Sequence, residues 1–226
     1  MSLLKKKNIL ITAGSTRGFL DAVRYITNTS TGRLGSEIAL EAMGRGADVT
    51  YIYGADSLFP VIHDRNDINP SQLKLIEIET NNDLMEILQK KLKNRKFDAI
   101  IHAMAVADYV PASAKQSKTS SQKEEWLVKL VKTPKVINSI RTKWPEALLV
   151  GFKLEVNKTK DEIIKIARRF LTKSKANLIV ANDYKYILRN RHIAYMVTGD
   201  RKIPKPLKGK KAIARNIISC LESTLA

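Results

Sequence analysis

Four stretches of this 226-residue chain are apolar almost without a break: NILITA (Asn8 to Ala13), FDAIIHAMA (Phe97 to Ala105), ALLVGFKLE (Ala147 to Glu155) and ANLIVAND (Ala176 to Asp183). Runs this short and this continuous suit strands covered on both faces, which is the condition of a parallel sheet. DVTYIYG (Asp48 to Gly54) and the alternating LKLIEIE (Leu73 to Glu79) add two more strands. Helical patterns fall between them, at Gly32 to Gly46, Asp83 to Asn94 and Thr159 to Lys175. Another helix is predicted over Thr133 to Trp144, with Thr133 as its cap and Pro134 at its first position. WLVKLVK (Trp126 to Lys132) and HIAYMVT (His192 to Thr198) read as further strands, and KGKKAIARNIISCLEST as a closing helix.

Strands alternating with helices predict an α/β fold: a Rossmann-like, doubly wound, mostly parallel sheet with helices on both faces. The length suits one domain over residues 1–226. One segment breaks the pattern. YVPASAKQSKTSSQKEE (Tyr109 to Glu125) has no periodicity and is rich in Ser, Lys and Gln. A structureless segment of that length predicts a mobile lid over about 109–125.

Composition narrows the partners. No apolar run approaches the eighteen or so residues a membrane helix needs. The basic start MSLLKKK is followed by an apolar run too short for a signal peptide. Cys220 is the single cysteine, so no internal disulfide can form, which suits a cytoplasmic location. Lys and Arg number 40 against 22 Asp and Glu, a formal charge of +18 that favours anionic partners. The basic clusters Lys5 to Lys7, Lys90 to Lys96 and Lys208 to Lys211 sit at element ends and read as solvated surface. A nucleic-acid binder would need exposed aromatics among its basic residues. Aromatics are only 6% here and lie mostly in strand patterns, so neither nucleic acid nor membrane is expected as a partner.

Three places are dense in groups that bind small anions. ITAGSTRG lies at the carboxyl end of the first strand, where open α/β sheets bind ligands. Gly14 lets a ligand approach the backbone, and Ser15 and Thr16 offer hydroxyls and amides to phosphate. The G-x-G-x-x-G fingerprint is absent; only Gly14 and Gly18 stand there. Next, Asn28, Thr29, Ser30, Thr31 and Gly32 crowd the start of a helix, whose amides and dipole favour an anion. Arg24 and Arg33 can add charge-assisted bonds. A cap by Ser30 or Thr31 explains one residue of the five. Third, AMAVADY ends the fourth strand. Asp108 suits a ribose hydroxyl or a metal, or caps a helix, and the small Ala105 and Ala107 admit a flat group. Lys115, Lys118 and Lys123 lie on the lid, where a lysine could close over a triphosphate. His63, His102 and His192 show no metal-ligand spacing, and His102 in its apolar strand reads as a core residue. No Ser-His-Asp or Cys-His arrangement can be drawn, and Cys220 on a helix face reads as packing.

Taken together, ILITAGSTRGFLDAVRYITNTSTGRLGSEIA, IIHAMAVADYVPA and LVGFKLE with LIVAND resemble the phosphopantothenate–cysteine ligase family, over nearly the whole chain. That family is often fused to a flavin-dependent decarboxylase, so the resemblance implies a free-standing ligase with a separate decarboxylase as a candidate partner. It implies amide formation between 4'-phosphopantothenate and cysteine on the route to coenzyme A. CTP or ATP activates the carboxylate as an acyl nucleotidylate with release of pyrophosphate, Mg²⁺ assists, and the enzyme is a homodimer with a small dimerisation and flap region. By resemblance Asn28 handles the acyl intermediate, and Arg24 with Ser30, Thr31, Gly32 and Arg33 faces phosphopantothenate. Gly14, Ser15 and Thr16 lie on the nucleotide side, and Ala105, Val106, Ala107 and Asp108 match the nucleoside pocket, with Asp108 near the ribose or cation. Phe152 matches an aromatic beside the base, and Asn182 the asparagine of VAND. Lys118 falls at the family's lid lysine, and Lys173 or Lys175 at a phosphate-reaching lysine. The lid departs from the family, with TSS after Lys118 where basic residues are usual, so Lys115 and Lys123 remain candidates. GFKLEV is closer to the animal-type pattern, which leaves CTP against ATP open.

Other readings stay weaker. An NAD(P)-dependent oxidoreductase lacks its glycine fingerprint and any Tyr with Lys four positions on. A basic nucleic-acid-binding module lacks interleaved aromatics. An inactive scaffold of the same fold would not need Asn28, Asp108 and a lid lysine together.

Overall fold

The computed structural model describes residues 4–63, 65–122, 124–188, 191–200 and 202–225. The chain begins with β1 (Asn8–Ala13), then a short pair β2 (Arg17–Phe19) and β3 (Tyr25–Thr27), then α1 (Arg33–Gly44) and β4 (Asp48–Gly54). Next come β5 (Leu73–Ile78), α2 (Asn81–Glu86), β6 (Ala99–His102), a second short pair β7 (Tyr109–Pro111) and β8 (Leu130–Lys132), and α3 (Val136–Lys143). The last part is β9 (Leu148–Glu155), α4 (Lys160–Ser174), β10 (Leu178–Asp183), α5 (Tyr184–Leu188), β11 (Ile193–Val197), β12 (Pro206–Lys208) and α6 (Lys210–Leu225).

Eight strands form one sheet in the order β12-β11-β10-β9-β6-β1-β4-β5. The run from β5 to β10 is parallel throughout, and β11 and β12 close the far edge antiparallel. The apolar runs explain this arrangement. Along β1, Ile9, Ile11 and Ala13 pack with Val49, Tyr51, Ile101, Val150 and Val180 under Ile38 and Ala42 of α1 and Ile217 and Leu221 of α6. Leu10 turns the other way and packs with Ile52, Ile100 and Leu149 against Leu84 of α2 and Ile137 and Ile140 of α3. Ile179 and Ala181 of β10 meet Ile163 and Ala167 of α4. A strand covered on both faces needs no polar alternation, and β10 is buried at all six positions.

Local signals position the helices. Thr159 caps α4, accepting from the Glu162 amide while Glu162 accepts from Thr159 in return, and Lys175 ends the helix in a left-handed conformation. Thr80 and Asp83 form the same reciprocal cap on α2. α1 differs: its cap is Gly32 with φ of 76°, and no side chain caps it, so neither Ser30 nor Thr31 takes that part.

Several expected boundaries move. The helix predicted over Asp83 to Asn94 is α2, starting at Asn81, followed by a π turn over Ile87–Lys91. The strand predicted over Phe97 to Ala105 stops at His102, because Ala103 to Asp108 leaves the sheet to line its edge. Only Leu130–Lys132 of the run from Trp126 pairs as a strand. Thr133 does not cap α3, which starts at Val136 behind an uncapped Lys135; its hydroxyl is used elsewhere, as described below. The pair β2–β3, the strand β7 at the start of the lid, and the short α5 and β12 carry too few residues for a periodicity to show. Among the described residues no helix is long and apolar enough to cross a membrane.

α1 lies so close to β1 that a Cβ at Gly35 would fall inside contact distance of Ala13 Cβ. Gly35→Ala should therefore lower the unfolding free energy by about 1–3 kcal/mol through overpacking, although alanine is the better helix former by about 1 kcal/mol. Urea unfolding checks this, and a raised midpoint would show that α1 can ride further from the sheet.

Candidate functional site

β1 has β4 on one side and β6 on the other, so the order of connection reverses between β1 and β6 and opens a crevice at their carboxyl ends. The two strands remain tied beyond the sheet proper. Ser15 bridges Ala105, and the Ala105 amide donates to Gly14 O at 2.8 Å. Three loops meet there, and glycine lets them meet. Gly14 has φ of 79° and Gly32 φ of 76°. A Cβ at Gly14 would run into the Ser57 side chain, and one at Gly32 would lie 2.8 Å from Leu58 O. The Leu58 amide donates to Thr31 O at 2.9 Å, which fastens the 55–61 loop to the start of α1.

Asn28 joins the two halves of the crevice. Its exposed side chain donates from Nδ2 to Ala105 O at 3.0 Å, while Thr27 Oγ1 donates to Thr16 O at 2.9 Å and lies 3.0 Å from Ser15 Oγ. A carboxamide has two N–H donors and a carbonyl, so Asn28 keeps one donor and its acceptor for a ligand. Arg24 is half-buried in the turn between β2 and β3, while half-buried Ser30 and exposed Thr31 and Arg33 flank the uncapped start of α1.

Thr16 corrects the sequence reading. Its side chain is fully buried and its hydroxyl is engaged, donating to Asn81 Oδ1 at 2.5 Å and accepting from the Ala107 amide at 3.0 Å. Asn81 Nδ2 and Thr133 Oγ1 both donate to Ala107 O, at 2.8 and 2.6 Å, and the Thr133 amide donates to Asp108 O at 2.9 Å. Thr16 thus shapes the 105–108 segment and offers no hydroxyl to phosphate. Nothing in the sequence marked Asn81 or Thr133 for this network: Asn81 lay outside the predicted helix, and Thr133 looked like an ordinary helix cap. Arg17 also went unremarked; it pairs with Glu79 at 2.7 Å and with Asp56, and lies over the Tyr25 ring, so its charge is spent locally.

Asp108 is exposed and pairs with Lys135 Nζ at 2.6 Å. Among the described residues no group of three or more His, Cys, Asp or Glu could hold a metal ion. One carboxylate already paired with an ammonium does not make a protein cage for Mg²⁺, so Asp108 does not stand as a metal site by itself.

The lid is anchored at several points. The Lys115 amide donates to Leu20 O at 3.1 Å and the Ala112 amide to Lys129 O at 2.9 Å. Lys115 and Lys118 are exposed; Lys123 lies outside the described residues. Phe152 is half-buried against the core on the α1 side of β9, one residue beyond the row Thr12, His102, Gly151 and Ile179 that crosses four strands. Asn182 is buried near the carboxyl end of β10, and Val106 packs on the α2–α3 side. Lys173 corrects the reading a second time. It lies in the last turn of α4, which descends from the carboxyl to the amino edge of the sheet. There it lines a cavity of about 700 Å³ with Arg141, Glu146, Lys175 and Asn177. Neither Lys173 nor Lys175 faces the crevice.

Three titratable groups, Asp21, His102 and His192, are held far from their usual range. The Thr119 amide, followed by those of Val23 and Arg24, holds the buried Asp21 carboxyl down at about 2, against the upward push of burial. Burial pushes His102 down to about 4; its Nδ1 shares a 2.7 Å hydrogen bond with Thr12 Oγ1, as a core histidine would. Burial, helped by Lys210, pushes His192 to about 4 as well. A histidine neutral in the fold but free to protonate when unfolded weakens the fold as pH falls between the two values. Stability should thus be level above about pH 6.5 and fall toward pH 4 by about 1.4 kcal/mol per unit for each ring. His102→Gln should flatten part of that slope in unfolding titrations; an unchanged slope would exclude His102 as its source.

The model of the DNA/pantothenate metabolism flavoprotein C-terminal domain matches residues 4–225. A coenzyme A biosynthesis bifunctional protein CoaBC of Thermococcus kodakarensis is 32% identical over 222 residues, 98% of this chain and 52% of that protein. The CoaBC of Borreliella burgdorferi is 35% identical over 221 residues, 96% of this chain and 53% of that protein. The chain spans about half the length of these relatives. A crystal structure described as the DNA/pantothenate metabolism flavoprotein from Streptococcus pneumoniae superposes with a TM-score of 0.83 at 32% identity, covering 96% of this chain and 99% of that one.

Proposed function

The chain belongs to the family of DNA/pantothenate metabolism flavoprotein C-terminal domains, and from that we propose that it joins 4'-phosphopantothenate to cysteine at the expense of a nucleoside triphosphate. The two relatives named above carry coenzyme A biosynthesis in their names. The observation that most supports the reading is the Asn28–Ala105 hydrogen bond, which sets the anion-facing loop and the 105–108 segment on opposite walls of one crevice.

A carboxylate does not acylate an amine at neutral pH, because its oxygen leaves badly. In the proposed sequence the phosphopantothenate carboxylate attacks the α-phosphorus, the bond to the bridging oxygen of the β-phosphate breaks, and pyrophosphate leaves. The cysteine amine then attacks the acyl carbon, the nucleoside monophosphate departs with its electron pair, and the amine loses its proton. Both steps need positioning and charge neutralisation more than covalent help. Gly14, Ser15 and the Ala105 to Asp108 wall would take the nucleotide, with Phe152 and Asn182 further along the same sheet edge. Ser30, Thr31, Gly32 and Arg33 at the uncapped start of α1, with Arg24 from the turn between β2 and β3, would take the phosphate of phosphopantothenate. The spare donor and acceptor of Asn28 suit the acyl nucleotidylate, and Lys118 neutralises charge from the lid. Mg²⁺, as counter-ion of the triphosphate, would rest chiefly on phosphate oxygens. Exposed Tyr25 and Ile26 on β3 and Leu130 and Val131 on β8 suit a homodimer contact. A separate decarboxylase would supply the companion activity.

Pyrophosphate release from the purified protein should require phosphopantothenate, and parallel runs with CTP and ATP should separate the nucleotides; release from neither, by folded protein, sinks the reading. Lys118→Gln should slow that release by about 10²–10³-fold, as loss of one charge-stabilising donor does. An undiminished burst would move the role along the lid to Lys115. Asn28→Ala should keep the fold and the pyrophosphate burst but lose amide product, and normal product formation would remove Asn28 from the second step.

A further inference from the structure

One buried carboxylate spans two segments that lie far apart in the sequence. Asp21 sits in the turn between β2 and β3, and its side chain is fully buried. Oδ1 accepts from the Val23 and Arg24 amides, each at 2.9 Å, which closes the turn that carries Arg24. Oδ2 accepts from the Thr119 amide at 3.0 Å, 98 residues away on the lid. Arg24 completes the link: its guanidinium lies 3.5 Å from Asp21 Oδ2, donates to Thr119 O at 3.3 Å, and stands 5.4 Å over the Trp126 ring. Thr119 is the buried residue of a stretch, 112 to 122, whose other members are exposed, and it directly follows Lys118. The anchor is a backbone amide and a backbone carbonyl, so lid composition is free to vary around it. Thr119 Oγ1 is buried, and among the described residues it has no hydrogen-bond partner. A desolvated hydroxyl opposes the docked arrangement, so Asp21 and Arg24 hold the lid there against a standing cost.

We propose that Asp21 is a positioning residue: its carboxylate latches the lid to the Arg24 turn and thereby sets Lys118 over the crevice. The two anion-handling arms, Arg24 for one substrate and Lys118 for the other, are then fixed by a single side chain. This extends the ligase reading and rests on it for the role of Lys118, but the latch itself can be observed without turnover.

Asp21→Asn is the selective variant. Its remaining oxygen can still accept from Val23 and Arg24, while its NH₂ meets the Thr119 N–H donor to donor. Thr119→Pro removes the same bond from the lid side, leaves Asp21 in its turn, and decides the matter if Asp21→Asn fails to fold. Amide hydrogen exchange at Thr119 should accelerate at least about tenfold in Asp21→Asn, with the strands of the sheet unchanged. Phosphopantothenate-dependent pyrophosphate release should fall about 10- to 100-fold in both variants, the range for losing a charge-assisted hydrogen bond. In a Lys118→Gln background Asp21→Asn should cost little more, because the two residues act as one unit. Unchanged exchange at Thr119 would overturn the latch, and so would a full, additive loss in the Lys118→Gln background, the mark of a merely structural role. Wild-type protein that releases no pyrophosphate would remove the ligase reading instead, and the Thr119 exchange would still decide whether the latch exists.

Discussion

The parallel run from β5 to β10 has to bury both of its faces, and the rest of the molecule follows from that. Each connection between neighbouring parallel strands must cross the sheet, so the turns that follow the strands all emerge at one edge. The reversal of order between β1 and β6 parts two of those turns and leaves the crevice. The site is where it is because β1 lies in the middle of the sheet, with Ile9, Ile11 and Ala13 committed to one core and Leu10 to the other.

Around the crevice, the groups that shape it outnumber those that remain free. Thr16, Asn81, Thr133 and the backbone of Ala107 form a closed hydrogen-bond network that holds one wall rigid. Asp21 and Arg24 dock the lid on the other side. Buried polar groups satisfied to this degree specify one arrangement rather than add much net stability. Asn28, Arg33 and Lys118 stay exposed, which leaves them open to the roles proposed for them.

The strongly basic composition has a divided role. Arg17, Arg45 and Arg65 are consumed in ion pairs on the protein itself, and Arg141 ties the end of α3 to Lys175, Ala147 and Asn177. Net charge therefore says little about which cation meets substrate. Placement decides, and Lys173 shows it: a lysine near a conspicuous motif in sequence ends a helix that carries it to the opposite edge of the sheet.

What the sequence determined by itself were the features written in local, repeated patterns. The continuous apolar runs specified the buried parallel strands, the Thr159–Glu162 pair the start of α4, and the crowd of small polar residues before Arg33 the loop that leads into α1, because each depends only on neighbours a few residues away. Tertiary structure alone decided which of the marked residues are free to act. Thr16 is withdrawn by an asparagine 65 positions on, Asp21 is enlisted by an amide 98 positions on, and Gly14 and Gly32 are required by a loop that arrives from residues 57 and 58. Such contacts are made by side chains and single amides with no periodicity to announce them, and they exist only once the sheet has brought distant turns to the same edge.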